Sequence, residues 1–243
     1  MHIRADAIVL STRNHGEHGV VARALTREHG VQPGYVRGGR SRRLRPVLQP
    51  ANLVLGEWRT RTGDQLAGLT VELVASRAAL HEQPLAAAGL QWATTLGAAA
   101  LPEAQPYPHI HDALDGLLDA IEAAPSARAW AAALARYELV VLAELGFGLD
   151  LERCAVTGEE GVPFFVSPRS GSGVSRAGAV GYEAKLLPFP RFLAEGGEAG
   201  WDDVFAALRL SEHFLTRDVL VGRSADTLAA RARLIDGLRR AVA

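Results

Sequence analysis

The hydrophobic period of this chain changes once, near residue 78, and that change limits its architecture more than any other feature. Before it, apolar residues alternate with polar ones in short runs. Ile3 to Ser11 reads as a first strand and Val20 to Thr26 as a second, across the turn-like Asn14-His15-Gly16-Glu17-His18-Gly19. A third strand runs from about Val31 to Arg37 after Gly30. A fourth spans Asn52 to Thr60, with Leu53 and Leu55 on one face and Val54 and Trp58 on the other. In the fifth, Leu69, Val71 and Leu73 alternate with Thr70 and Glu72, after a hairpin turn at Gly63-Asp64. Five short strands without an intervening helix predict a small closed barrel, and the five-stranded OB-fold has that size.

After residue 78 the period is helical. Residues 78 to 101 are rich in Ala and Leu, and residues 102 to 108 form a proline-rich break. A helix from about Ile110 to Ala123 ends at Pro125. Ser126 stands as the cap of a longer one, with Trp130, Leu134, Tyr137, Val141 and Leu145 on one face. Gly146 and Gly148 close it. Residues 150 to 182 read as a glycine-rich insert with a hairpin near Phe164 to Val166. Helices from Trp201 to Val221 and from Ala225 to Val242 follow, the last with Leu228, Ala232, Ile235, Leu238 and Val242 as its apolar stripe. The expected class is α+β and multi-domain: a barrel over 1–78, then an all-α helical domain over 79–243 carrying the insert at about 150–182.

Composition removes several alternatives. With 48% hydrophobic and 22% charged residues, the 243-residue chain is neither disordered nor fibrous. A single cysteine, Cys154, excludes an internal disulfide framework and fits a reducing cytoplasm. Arg4, Asp6 and Arg13 interrupt any secretory apolar run at the start. Residues 83 to 102 carry no charge, which leaves a membrane span to be weighed against a buried helix. The alanines, Gln91, Thr94, Thr95 and the helical spacing of Leu85, Trp92 and Leu96 favour the buried helix.

The net charge of −1 conceals an asymmetry. Residues 1–80 hold twelve arginines and six acids, a surplus of six positive charges. Residues 81–243 hold fourteen Lys and Arg and twenty-one acids, an excess of seven negative charges. Such a split points to a polyanionic partner for the first segment. Within that segment Arg37, Arg40, Arg42, Arg43 and Arg45 fall in nine residues with no acid, around Gly38, Gly39 and Ser41. The guanidinium fork pairs with phosphate oxygens, so this loop at a barrel rim suits a nucleic-acid backbone. The competing reading is a solvated loop kept charged for solubility. Tyr35 and Trp58 are the nearby candidates for base stacking.

Other chemistry finds little support. His15 with His18, and His109 with His111, have ligand-like spacing without a third ligand, and read as surface histidines. There is no HExxH, no P-loop, no GxGxxG between strand and helix, and no GxSxG elbow. Cys154 has no nearby histidine as base. The chain is expected not to be an enzyme.

Ala7-Ile-Val-Leu10 running into Arg13-x-x-Gly16-Glu17, Leu25-Thr26, Gly30, Val36-Arg37-Gly38 and Leu48-Gln49-Pro50 follow one another in a distinctive order. Arg136-Tyr137-Glu138-Leu139, Leu145-Gly146-Phe147, Leu151, Cys154 and Thr157-Gly158 continue it. In this succession the sequence resembles the bacterial DNA-repair and recombination mediators of the RecO family, over nearly its whole length.

The resemblance implies an N-terminal OB-fold, a C-terminal helical domain and a zinc-ribbon-like insert. It also implies ATP-independent binding of single- and double-stranded DNA, annealing of complementary strands, and help in loading RecA onto strands coated by single-strand-binding protein, together with RecR. Many members of the family carry a Cys-x2-Cys … Cys-x2-Cys site. Here Cys154 is followed by Thr157, Ser175 and Gly178 at gaps of two, seventeen and two residues, so three of four thiolates are missing and no metal or other cofactor is expected. The resemblance further implies capture of the acidic C-terminal tail of single-strand-binding protein by the helical domain. Arg136, beside Tyr137, Val140 and Val141, is the candidate for that contact, unless it pairs with Glu138 or Glu144. The implied place is the cytoplasm, at the nucleoid. An RNA-binding OB module is the alternative, because phosphate contacts do not distinguish the two sugars.

Overall fold

The computed structural model describes residues 1–60, 65–124, 126–222 and 225–242. Five strands open the chain: β1 (His2–His15), β2 (Gly19–Thr26), β3 (Gly30–Val36), β4 (Leu53–Arg59) and β5 (Gly68–Ala75). They close into a barrel in the order β1-β2-β3-β5-β4. Closure depends on the length of β1, whose first half pairs with β4 (Ile3 opposite Trp58) and whose second half pairs with β2 (Arg13 opposite Val21). A register shift between Val9 and Ser11 turns the strand from one partner to the other. β3 and β5 run parallel and meet at Tyr35 and Gly68.

The alternation chooses the faces. Ala7, Val9, Val20, Ala22, Ala24, Val36, Val54, Trp58, Leu69 and Val71 fill the interior. Trp58 is fully buried there and cannot stack on a base, which removes it as a nucleic-acid contact. Gly34 is required beside it: a Cβ would lie 2.9 Å from Trp58 Nε1 and 2.5 Å from Leu69 Cβ. The turn expected at Gly63-Asp64 lies outside the described residues.

After a 3-10 turn (Ala78–Glu82) come α1 (Pro84–Ala100), α2 (Pro108–Ala123) and α3 (Ala127–Leu142). α2 begins earlier than the sequence suggests, so His109 and His111 sit in its first turn and not in a loop. Ser126 holds the N-cap position of α3 without a side-chain cap bond, and Pro125 lies outside the described residues. A wide turn (Ala143–Phe147) ends that helix at Gly146, whose φ of 88° suits glycine. The insert folds as three two-residue strands, β6 (Phe165–Val166), β7 (Gly173–Val174) and β8 (Leu187–Pro188), ordered β7-β6-β8. Then follow α4 (Phe192–Glu195), α5 (Trp201–Phe214) and α6 (Ala225–Arg240). No helix among the described residues is long and apolar enough to cross a membrane.

Compactness groups these elements into two units. One comprises Met1–Ala123 with Arg223–Ala243, and the other Ala124–Gly222. The first unit thus includes the barrel with α1, α2 and the returning α6, which packs on α1. On α6 the buried residues are Ala230, Arg231, Leu234, Ile235 and Leu238, whereas Ala232 and Val242 face solvent.

Arginines tie the first unit together. Arg77 is buried; its Nη1 donates to Ala51 O at 2.8 Å and its Nη2 to Asp119 at 2.6 Å, with Asp115 and Glu122 within 3.7 Å. Arg27 grips Asp112 through two bonds of 2.9 and 3.0 Å, which hold that carboxyl down at about 2. Arg23 donates to Ala98 O at 2.6 Å and lies 3.2 Å from Glu103.

Candidate nucleic-acid interface and partner pocket

These pairings separate nine of the twelve arginines of the first eighty residues into two groups. Arg23, Arg27 and Arg77 meet acids from residues 103–122, and Arg59 meets Glu57. Arg37, Arg40, Arg42, Arg43 and Arg45 are all exposed, and among the described residues none has a carboxylate within ion-pair distance. Five unpaired positive charges therefore fall together on one segment.

That segment is folded, not an open arc. Gly38 adopts φ +68°, and Gly39 lies so close to Val20 that a Cβ would stand 2.8 Å from the valine Cβ. Turns follow, with Arg45 N donating to Ser41 O at 2.9 Å and Leu48 N to Leu44 O at 3.1 Å. Leu48 is buried in the barrel core, and Leu44 and Val47 pack against it. Asn52 Nδ2 donates to Pro46 O at 2.8 Å. Ala51, at φ 73°, returns the chain to the barrel through a 2.8 Å bond to Val9 O. Apolar residues thus anchor the segment while the arginines stay in water.

The turn between β1 and β2 joins it. Arg40 N donates to His18 O at 3.3 Å, and Arg40 Nη1 to Glu17 O at 2.8 Å. Arg40 and Arg45 line an open groove of about 500 Å³ with Thr12, Asn14, Gln49 and Pro50. Gln49 Oε1 is buried there and accepts no bond from a described donor. Arg37 and Arg40 flank a second recess of about 400 Å³ with His18 and Ser41. Arg42 and Arg43 are exposed and line neither hollow. Tyr35 lines neither; it stands edge-on to His15 with ring centroids 5.7 Å apart and covers Gly19. The arrangement offers convergent cations and small polar groups.

The second unit holds Arg136 on α3. Its Nη2 donates to Phe192 O at 3.1 Å and its guanidinium lies 5.1 Å from the centre of the Phe192 ring. It pairs with neither Glu138 nor Glu144. Glu138 is buried and accepts a short bond from Ser211 Oγ. Burial, with the Glu138 charge beside it, pushes the Tyr137 hydroxyl well above its usual range. Arg136 stands at the edge of an apolar pocket of about 370 Å³ whose walls include Leu139, Val140, Leu151, Phe189 and Leu193. The sequence indicates the arginine and Val140; Phe189 and Leu193, some fifty residues on, carry no local signal of a pocket.

In the insert, Cys154, Thr157, Ser175 and Gly178 do converge. Thr157 N and Ser175 N donate to Cys154 Sγ at 3.4 and 3.2 Å. Burial opposes the thiolate, but the bonds from Ser175 and Thr157 outweigh it and bring Cys154 down to about 6. The set does not fit zinc. Thr157 Oγ1 turns to Glu159 at 3.0 Å, Ser175 Oγ accepts from Gly178 N at 3.1 Å, and a Cβ on Gly178 would stand 2.9 Å from the sulfur. Cys154, Val174 and Ala179, with Phe165 and Leu186, form a small apolar core in place of a metal centre. No group of three or more His, Cys, Asp or Glu among the described residues could hold a metal ion.

Comparison with known proteins adds the following. The N-terminal model of recombination protein O matches residues 1–77, and the C-terminal model matches residues 81–224. A protein named DNA repair protein RecO from Rhodospirillum centenum is 43% identical over 239 residues, covering 97% of this chain and 94% of its own. Its namesake from Rhodospirillum rubrum is also 43% identical, over 240 residues, covering 96% and 94%. One from Phenylobacterium zucineum is 41% identical over 245 residues, covering 99% of both chains.

Proposed function

This chain belongs to the RecO family of DNA repair proteins, and from that premise we propose that it is a recombination mediator whose barrel is an OB-fold gripping DNA by its phosphates. It binds single and double strands at Arg37, Arg40, Arg42, Arg43 and Arg45, with Tyr35 at the margin of the surface. It anneals complementary strands and, with RecR, helps load RecA onto strands coated by single-strand-binding protein. It performs no covalent chemistry and uses no ATP. Its work takes place in the cytoplasm, at the nucleoid.

One observation carries this reading: five exposed arginines fall on one anchored segment and have no carboxylate partner among the described residues, while Arg23, Arg27, Arg59 and Arg77 meet acids. Annealing asks for two polyanions brought together with their charge neutralised, and no catalytic group. For the coated strand, the Arg136 pocket supplies the second contact. An acidic peptide ending in an apolar residue and a free carboxylate would place the side chain against Leu139, Val140 and Phe189 and the carboxylate on Arg136. Screening limits the repulsion from the acidic half of the chain to about 8 Å at physiological salt, so the local pairing decides.

The test is annealing of complementary strands coated with single-strand-binding protein, followed by fluorescence. Wild-type protein should speed annealing without nucleotide. No acceleration on coated or naked strands would refute the reading. Competition by RNA of equal length that displaced DNA at lower concentration would favour an RNA-binding module instead.

A further inference from the structure

Pro50 is a wall of the groove beside the arginine segment. The same proline lines a wider groove of about 920 Å³ within the first unit, which runs between α1 and α6. Small residues are among its lining, Ala88 on α1 and Ala230 and Gly237 on α6, and a Cβ on Gly237 would stand 3.0 Å from Leu85 Cδ1. His81 contributes a buried Nε2 with no hydrogen-bond partner among the described residues. Arg233 and Arg240 line the groove from one face of α6, two helical turns apart. Both are exposed, and among the described residues neither has a carboxylate within ion-pair distance. The acid that lines the groove, Asp236, lies 3.5 Å from Arg239.

The helix itself accounts for only one of these cations. Arg240 sits in the last turn, where the helix dipole and open carbonyls favour positive charge. Arg233 lies two turns earlier and has no such reason to be there. Among the described residues no Phe, Tyr or Trp lines the groove, so an occupant would be held mainly through charge.

We propose that a single strand of nucleic acid lying across the arginine segment continues past Pro50 into the groove between α1 and α6. There Arg233 and Arg240 neutralise two further phosphates. The inference rests on the DNA-binding reading of the arginine segment and extends it to an element that the sequence places 190 residues away. The wall shared at Pro50 and the unopposed charge favour a polyanion over an acidic peptide. The strand would run from the barrel onto a helical floor with its bases turned outward.

The test uses the full chain and two labelled single strands: one of about 8 nucleotides, within the range of one barrel, and one of about 30. Four proteins are compared across a salt series: wild type, Arg40→Ala/Arg42→Ala/Arg43→Ala, Arg233→Ala/Arg240→Ala and Arg233→Lys/Arg240→Lys. The alanine pair should leave the short strand bound as in wild type. On the long strand it should flatten the slope of log affinity against log salt by about 1.4, and the lysine pair should restore the slope. An unchanged long-strand slope for the alanine pair, with a flattened one for the arginine-segment triple, overturns this inference and leaves the barrel reading standing. If the triple also has no effect, both fall. Equal loss on the two strands overturns the proposed order along the strand. An alanine pair that keeps DNA but no longer binds an acidic tail peptide makes the groove a peptide site, and overturns the inference as well. Melting curves of the variants should coincide with wild type, because both side chains are exposed.

Discussion

Replacing Arg40, Arg42 and Arg43 together by alanine isolates the charge of the segment from its fold. All three are exposed, and the residues that hold the segment to the barrel (Leu44, Val47, Leu48 and Asn52) are untouched. One side-chain bond is lost, from Arg40 Nη1 to Glu17 O. Exposed changes of this kind shift stability by about 0.5 kcal/mol or less, so the melting curve should hardly move. Binding should change in a specific way. Each lost phosphate contact on single strands flattens the slope of log affinity against log salt by about 0.7, hence by about 2 for three. A fourfold rise in salt, from about 50 to about 200 mM, should then shrink the ratio of wild-type to variant affinity about 20-fold. On duplex the contribution is about 0.9 per contact, and the ratio should shrink about 40-fold. Anisotropy of labelled oligomers over a salt series measures both. The loss should be equal for unrelated sequences, because phosphate contacts position a strand without reading it. An unaltered slope, or a loss confined to one sequence, would refute the assignment.

Three other outcomes are expected. Arg136→Ala removes the cation at the rim of the apolar pocket and should weaken a tail peptide of single-strand-binding protein about tenfold or more, with naked-DNA binding retained. Equal loss of both would merge the two sites. Purified protein should contain far less than one zinc per chain, and a chelator should leave its melting curve unchanged. Stoichiometric zinc would reveal ligands other than the four insert positions. The folded Cys154 thiol titrates near 6 against an ordinary 9.0, so its contribution to stability is fully present above about pH 9 and is lost as pH falls through about 6. Denaturation midpoints of wild type minus Cys154→Ser should therefore rise from pH 6 to 9, and a flat difference would mean that the Ser175 and Thr157 bonds do not hold a thiolate.

The local periods were legible and the long-range pairings were not. Alternation separated Val54 and Trp58 from Leu53 and Leu55, but not which face was interior, and Trp58 therefore looked available for stacking. Segment charge is a sum, and a sum does not say which cations are already paired. Arg27 meets Asp112 across 85 positions and Arg77 meets Asp119 across 42, and neither separation leaves a local trace. On α6 alanine recurs at 230 and 232, so either could have belonged to the buried face. The structure buries Ala230 with Arg231, whose guanidinium lies 6.0 Å from the Trp92 ring centre. A charged residue on the inner side shifted the true stripe away from the apolar pattern. The arginine segment was legible because its signal is composition within nine residues. The groove between α1 and α6 was not, because its walls come from opposite ends of the helical sequence.

The scarcity of aromatics near these arginines has an energetic consequence for annealing. A base stacked on an aromatic side chain is held by about 1–3 kcal/mol. A base-pair step contributes about 1.4 kcal/mol on average. A surface that stacked every base would therefore oppose pairing with a free energy as large as pairing supplies, and would protect a strand without joining it to another. Here Trp58 is locked in the core, and Tyr35 stands edge-on to His15 away from the groove that Arg40 and Arg45 line. The polar side chains that line the groove are arginine, threonine, asparagine and glutamine. Such a surface lowers the repulsion between two backbones and leaves the base edges free. The same separation explains why the arginines need a firm base and not a flexible one: Leu44, Val47 and Leu48 fix where the charge lies, so that two strands drawn to it meet in one place.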